Sequence, residues 1–217
     1  MNFDIARTQM IKQQIRAWNV LDSHILDLIE TTPREDFVPS AYRSLAFADT
    51  TIPLGHDQIM LTPKEEARIL QALQIQSHER VLEIGTGSGY FTALLAKQAK
   101  SVISLDIFPD FISQATQKLN TLRFTNIDLR VADAALGYDR DGAYDVIVIT
   151  GSLSYIPDVY RNSLNAKGRL FAIVGQQPAM EALLMTKTVD SHWHSQFLFE
   201  TMVPPLINAK QPNPFTF

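Results

Sequence analysis

The residues best placed to do chemistry lie in Glu83-Ile84-Gly85-Thr86-Gly87-Ser88-Gly89-Tyr90. An apolar run, Val81-Leu82-Glu83-Ile84, reads as a strand leading into the glycines, and Phe91 to Ala99 reads as a helix leaving them. Glycines at such a junction let the backbone turn sharply and approach a ligand with no Cβ in the way. The N–H groups that open the next helix favour an electron-rich group. The dinucleotide fingerprint G-x-G-x-x-G puts its third glycine where Tyr90 stands. Here the spacing is G-x-G-x-G, the loop common among S-adenosylmethionine (SAM) enzymes.

Three acidic residues stand in register with that loop. Asp106 ends a second strand, 21 positions after Gly85, where a carboxylate can accept both hydrogen bonds of a ribose diol. Asp133 ends a third strand, within reach of an adenine amino group, and Glu83 ends the first, where it could hold a methionine ammonium directly or through water. Taken singly, each is an ordinary strand-end cap or turn former. Together at three successive strand ends, they define a cofactor site for SAM comprising Glu83, Gly85, Thr86, Gly87, Ser88, Gly89, Asp106, Ile107, Asp133 and Ala134.

The elements that must position these groups follow from the pattern. Apolar strands at 81–84, 101–107, 127–131, 144–150 and 169–174 alternate with helical stretches at 91–99, 109–119 and 156–165. Strand–helix alternation implies right-handed crossovers and a parallel sheet covered on both faces. The fold class is α/β, doubly wound and mainly parallel, with the site beyond the carboxyl ends of the strands. Residues 181–189 and 194–203 read as two strands without a helix between, an antiparallel hairpin turning at Asp190-Ser191 on the sheet edge. Upstream, residues 4–31 read as two amphipathic helices bearing Ile5, Met10, Ile11, Ile15 and Trp18, then Ile25, Leu26, Leu28 and Ile29. Residues 34–61 show little periodicity, which marks a functional loop region. Thr62-Pro63-Lys64-Glu65 is a capping box opening a helix to about Leu73. A single domain results, with an N-terminal helical and acceptor-side segment (1–61), a SAM-binding core (62–175) and a C-terminal hairpin and tail (176–217).

Composition narrows the function classes. The 217 residues include no cysteine, which excludes disulfides, thiolate metal sites and cysteine nucleophiles. A net charge of −4 argues against a nucleic-acid partner, which would meet a basic stripe. No apolar run reaches the ~18–20 residues of a membrane span. The start shows no signal-peptide pattern, so the expected compartment is the cytoplasm. No metal site is expected. His192 and His194 share a strand side without a third ligand, and Ser152 and Ser154 beyond the fourth strand suggest only loop hydrogen bonds. Phe215 and Phe217 could pack on the domain or on a second subunit, and the oligomeric state stays open.

Beyond the glycine loop, the chain resembles the protein-L-isoaspartate O-methyltransferase family of class I SAM-dependent methyltransferases. The resemblance rests on Pro33-Arg34-Glu35-Asp36-Phe37-Val38-Pro39, Leu45-Ala46-Phe47-Ala48-Asp49, Ile52-Pro53-Leu54-Gly55-His56, Val81 to Tyr90, Ala132-Asp133-Ala134 with Leu136-Gly137-Tyr138, Tyr144-Asp145 and Ile156-Pro157. It covers about residues 7–175. It implies carboxyl methylation of isoaspartyl residues in damaged proteins or peptides, as a repair step. On the acceptor side it implicates His56, Gln58, Leu61 and Thr62. There the family carries a Thr-Ile-Ser type stretch whose hydroxyls line the acceptor site, and here Ile59 and Leu61 stand at the two hydroxyl positions. Gln58 and Pro63 keep the register; Thr62 could supply a displaced hydroxyl, though its capping position competes for it. The departure bears on acceptor choice, so a different acceptor, even a small molecule, and a catalytically silent SAM-binding module stand as alternatives.

Overall fold

A computed structural model of the chain describes residues 2–190 and 192–210, so the Phe215 and Phe217 positions lie outside the described residues. The N-terminal unit begins with α1 (Phe3–Met10), capped by the Asn2 side chain. It continues through a π-turn (Ile11–Ile15) and a 3-10 turn (Arg16–Trp18), which left-handed Asn19 terminates. Met10, Ile11 and Ile15 are buried, but Ile5 is 57% exposed, contrary to the helical-spacing expectation. At about 100° per residue, Ile5 sits well off the direction shared by Ile11 and Ile15. Helix α2 (Ser23–Glu30), capped by Asp22, buries Ile25, Leu26, Leu28 and Ile29 as the pattern requires.

Residues 34–61 hold more structure than their sequence suggests. Two 3-10 turns (Arg34–Asp36 and Ser40–Leu45) lead into a hairpin of β1 (Ile52–Gly55) and β2 (Gln58–Met60). Its tip, His56 and Asp57, has both residues at positive φ, and the ladder shifts register between Pro53 and Gly55. Strands this short, one of them holding a proline, give no alternation to read. Helix α3 (Pro63–Leu73) starts at the expected box: Thr62 N–H and Oγ1 both donate to Glu65 Oε2, at 2.9 and 2.7 Å.

The sheet contains β3 (Arg80–Ile84), β4 (Ser101–Asp106), β5 (Ile127–Val131), β6 (Tyr144–Leu153), β7 (Leu164–Gln176), β8 (Ala179–Lys187) and β9 (Trp193–Thr201), in the order β5-β4-β3-β6-β7-β8-β9. The five strands β3 to β7 run parallel to their neighbours within that group; β8 is antiparallel to β7 and to β9. The doubly wound expectation stands, and the edge hairpin extends β7 as a meander. Strand β7 starts at Leu164, earlier than the pattern implies, and shortens the preceding helix to α6 (Asp158–Asn162).

Alternation along the strands builds two cores. Val81, Val102, Val146, Val148 and Phe171 face the N-terminal unit, α3, α4 (Tyr90–Ala96) and α5 (Pro109–Thr121). Leu82, Leu105, Ile147, Ile149 and Leu170 face α6 and residues 134–138. Successive side chains pointing to opposite faces make this possible, and the fully buried strands therefore read as continuous apolar runs. Order reverses beside β3, whose neighbours are β4 and β6, and this opens the crevice at the strands' carboxyl ends.

Candidate functional site

The glycine loop leaves β3 along a path that other side chains forbid. Gly85 has φ +100, and a Cβ there would lie 2.3 Å from Thr150 Oγ1. Thr150 Oγ1 in turn donates to the carbonyls of Ile84 and Gly85, both at 3.0 Å, so the close approach is bonded as well as tight. A Cβ on Gly87 would meet Leu54 of the hairpin at 3.1 Å. Gly89 serves packing: its Cβ would press on Ala115 of α5 at 2.9 Å, and it lines neither cavity.

Two adjoining cavities flank this loop. The outer is lined by Gly85, Gly87, Asp106, Ile107, Asp133 and Ala134, with Gln58 and Ile59 of the hairpin overhead. The inner, the smaller of the two, is bounded by Thr86, Ser88, Met60, Leu61, Phe91 and Glu66. Leu54, Ile59, Gly85, Gly87 and Thr150 border both.

Asp106 is engaged by the backbone. Its Oδ2 accepts the Gly87 N–H at 2.9 Å and its Oδ1 the Phe108 N–H at 3.0 Å, so the carboxylate braces the loop while facing the cleft. Burial pushes its pKa up against those two donors. Asp133, more exposed, accepts from the Ala135 N–H at 3.0 Å and from Asn208 Nδ2 at 2.8 Å. Each oxygen keeps a lone pair for a ligand donor.

Glu83 sits lower than its sequence position suggests. It is fully buried and borders neither cavity. Its Oε2 accepts from Thr92 Oγ1 and Ser104 Oγ, and Oε1 has no hydrogen-bond partner among the described residues. Burial raises its pKa to about 8, with the two hydroxyls pulling it down and Asp106 pushing it further up.

The acceptor-side residues separate in space. Gln58 lines the outer cavity and Leu61 the inner one. The Thr62 hydroxyl is spent on the α3 cap. His56 lines neither cavity: its ring stacks on Phe108 at 4.1 Å, and Nε2 lies 3.1 Å from both oxygens of Asp110. It latches the hairpin tip to the start of α5. Ser152 and Ser154 form loop bonds, to the carbonyls of Val203 and Lys210. His194 is exposed on β9 and His192 precedes that strand.

Sequence reasoning missed three contributors. Thr150 and Gly151 line the outer cavity from β6. Val203, Pro204, Leu206 and Ile207 wall it from the far side, where the chain runs alongside β6: Ser152 N–H donates to the Pro204 carbonyl and Leu206 N–H to the Ser152 carbonyl, both at 3.0 Å. A single β-bridge, Ser152 to Pro205, leaves no periodicity to detect. The third is Glu66, whose signal was available: a charged residue at the i, i+4 and i+7 spacing of buried Leu70 and Leu73. It is 3% exposed. Its Oε2 accepts from Arg34 Nη1, and Arg34, also buried, donates to the carbonyls of Ala46 at 2.9 Å and Leu61 at 2.6 Å.

A glycine floor that admits no Cβ, carboxylates at one end and apolar walls fit a SAM-shaped nucleoside. Comparison with known proteins agrees. The protein-L-isoaspartate(D-aspartate) O-methyltransferase family matches over residues 6–211. The chain is 35% identical over 195 residues to protein-L-isoaspartate O-methyltransferase 1 of Syntrophobacter fumaroxidans, covering 90% of this chain and 91% of that one. Identity to the Pelobacter propionicus protein of the same name is 36% over 213 residues, 97% and 99% of the two chains. Among solved structures, one from Plasmodium falciparum described as a protein-L-isoaspartate O-methyltransferase in complex with S-adenosyl-L-homocysteine superposes with a TM-score of 0.79 at 17% identity, covering 92% of this chain and 97% of that one. That superposition establishes the same fold. By its sequence over nearly its whole length, this chain belongs to the protein-L-isoaspartate(D-aspartate) O-methyltransferase family.

Proposed function

We propose that this protein is a SAM-dependent carboxyl methyltransferase acting on isoaspartyl residues of proteins or peptides, as a repair step. The observation that carries the reading is one cleft at the strand ends that gathers Gly85, Gly87, Asp106 and Asp133 in a chain of this family. When bound, SAM supplies a methyl group on a sulfonium whose departing product is the neutral thioether. The chain holds the nucleoside through Asp106 and Asp133 and keeps Gly85 and Gly87 free of side chains beneath it. A carboxylate acceptor with a pKa near ~4 is already ionised at pH 7, so no general base is required of the protein. Its contribution is alignment and exclusion of water, for which the apolar roof of Leu54 and Ile59 is suited. The isoaspartyl methyl ester would cyclise to a succinimide with loss of methanol, and water would reopen the ring in part to normal aspartate.

A specific observation favours a second reading: Ile59 and Leu61 border the cavities with no hydroxyl to bond an acceptor carboxylate. The same cofactor would then serve another acceptor. Incubating an isoaspartyl peptide with radiolabelled SAM, beside the Leu61→Ser variant, decides. Base-labile methyl ester formed by the wild type supports the first reading. Ester formed by the variant alone assigns the natural acceptor elsewhere, and no ester from either rejects the isoaspartyl reading.

A further inference from the structure

Glu66 stands apart from the other acidic residues. It lies on the buried face of α3, yet it borders the inner cavity together with Thr86, Gly87 and Ser88. Arg34 occupies one carboxylate oxygen, Oε2. No hydrogen bond from the described residues reaches the other. Arg34 is itself fixed by two backbone carbonyls and by stacking of its guanidinium on the Tyr90 ring at 4.9 Å, so it holds Glu66 in one orientation. Leu54, Ile59, Met60, Leu61 and Phe91 add apolar wall, and the Thr150 hydroxyl beside them donates to the carbonyls of Ile84 and Gly85. Such a pocket, with one carboxylate oxygen left to accept, suits a short methylene chain that carries a cation at its end.

From this geometry we propose that Glu66, rather than Glu83, receives the α-ammonium of the cofactor's methionine end. The proposal rests on the SAM reading above and deepens it. The two cavities meet over Gly85 and Gly87, so a ligand whose nucleoside lies between Asp106 and Asp133 extends its other end past the glycines into the inner one. Among the described residues, the one carboxylate bordering that space is Glu66's. Glu83 lies below the loop with its bonded oxygen turned to Thr92 and Ser104. Burial raises the Glu66 carboxyl to about 8, against the pull of Arg34 and helped by nearby Glu65 and Glu83, with Tyr90 also in its field. An arriving ammonium favours the ionised form and drives off that proton.

Calorimetry with two probes tests the proposal. S-adenosyl-L-homocysteine carries the amino-acid end; 5′-methylthioadenosine has the same nucleoside thioether without it. Glu66→Gln is expected to weaken the first by about tenfold or more, the loss of one charge-assisted hydrogen bond, and to leave the second within about twofold. Glu83→Gln should change the ratio of the two affinities little. Equal weakening of both probes by E66Q, or no weakening of the first, overturns the assignment. A second measurement needs no variant. In buffers of different ionisation enthalpy at pH 7, the wild type should release more protons on binding S-adenosyl-L-homocysteine than on binding 5′-methylthioadenosine. Equal release overturns the proposal. Wild-type protein that binds neither probe rejects the cofactor reading itself, and this inference with it.

Discussion

Gly85 shows how little freedom the site residues have. With φ +100 and Thr150 Oγ1 where a Cβ would go, Gly85→Ala must distort the loop, at about 1–3 kcal/mol, and should abolish measurable SAM binding. Gly55→Ala is the control. Its φ is +106 but nothing lies within 4 Å of the added carbon, so it should be destabilised by backbone strain alone and still bind. Asp106→Asn keeps the size of the side chain and removes its charge; affinity for SAM should fall about ten- to hundredfold by calorimetry. Glu83 gives a pH signature. Its carboxyl sits at about 8 in the fold and near ~4.3 in an unfolded chain, so the native state binds the proton more strongly. Its contribution to stability is complete below about pH 4.3 and is lost as pH rises through about 8. The melting temperature of the wild type should therefore fall more steeply between about pH 5 and 8 than that of Glu83→Gln, in which Glu66 and Asp106 remain as raised carboxyls. Parallel curves would show that Glu83 does not titrate there.

At the level of elements, what the sequence made legible was what has a period or a local signal. The parallel strands, the α3 capping box and the glycine turn all announce themselves, because burial on both faces, an N-cap with its N3 glutamate, and positive φ each demand particular residue types. The β1–β2 hairpin and the 203–208 segment do not. Their order comes from what they lie against: His56 on Phe108 and Asp110, Leu206 alongside Ser152. Thr62 was ambiguous in sequence between a cap and an acceptor-side hydroxyl. The observed box predicts that Thr62→Ala loses about 1 kcal/mol, a fall of about 2–4 °C in melting temperature, with kcat unchanged. A large drop in kcat at full stability would restore the acceptor role. The latch carries its own expectation: His56→Ala should speed release of S-adenosyl-L-homocysteine in stopped flow, because ring stacking and a hydrogen-bond contact with Asp110 both leave the hairpin tip.

Across the whole molecule, the site is assembled from distant parts of the chain. The floor belongs to β3, β4 and β6, the roof to residues 54–59, and the far wall to residues 203–207, with Asn208 reaching Asp133. Removing the residues after Met202 should leave a folded sheet by circular dichroism and a cleft that no longer retains SAM. That far wall sets an order of events during synthesis. A nascent chain already holding every strand still lacks one side of its ligand chamber until residue 208 is free to dock.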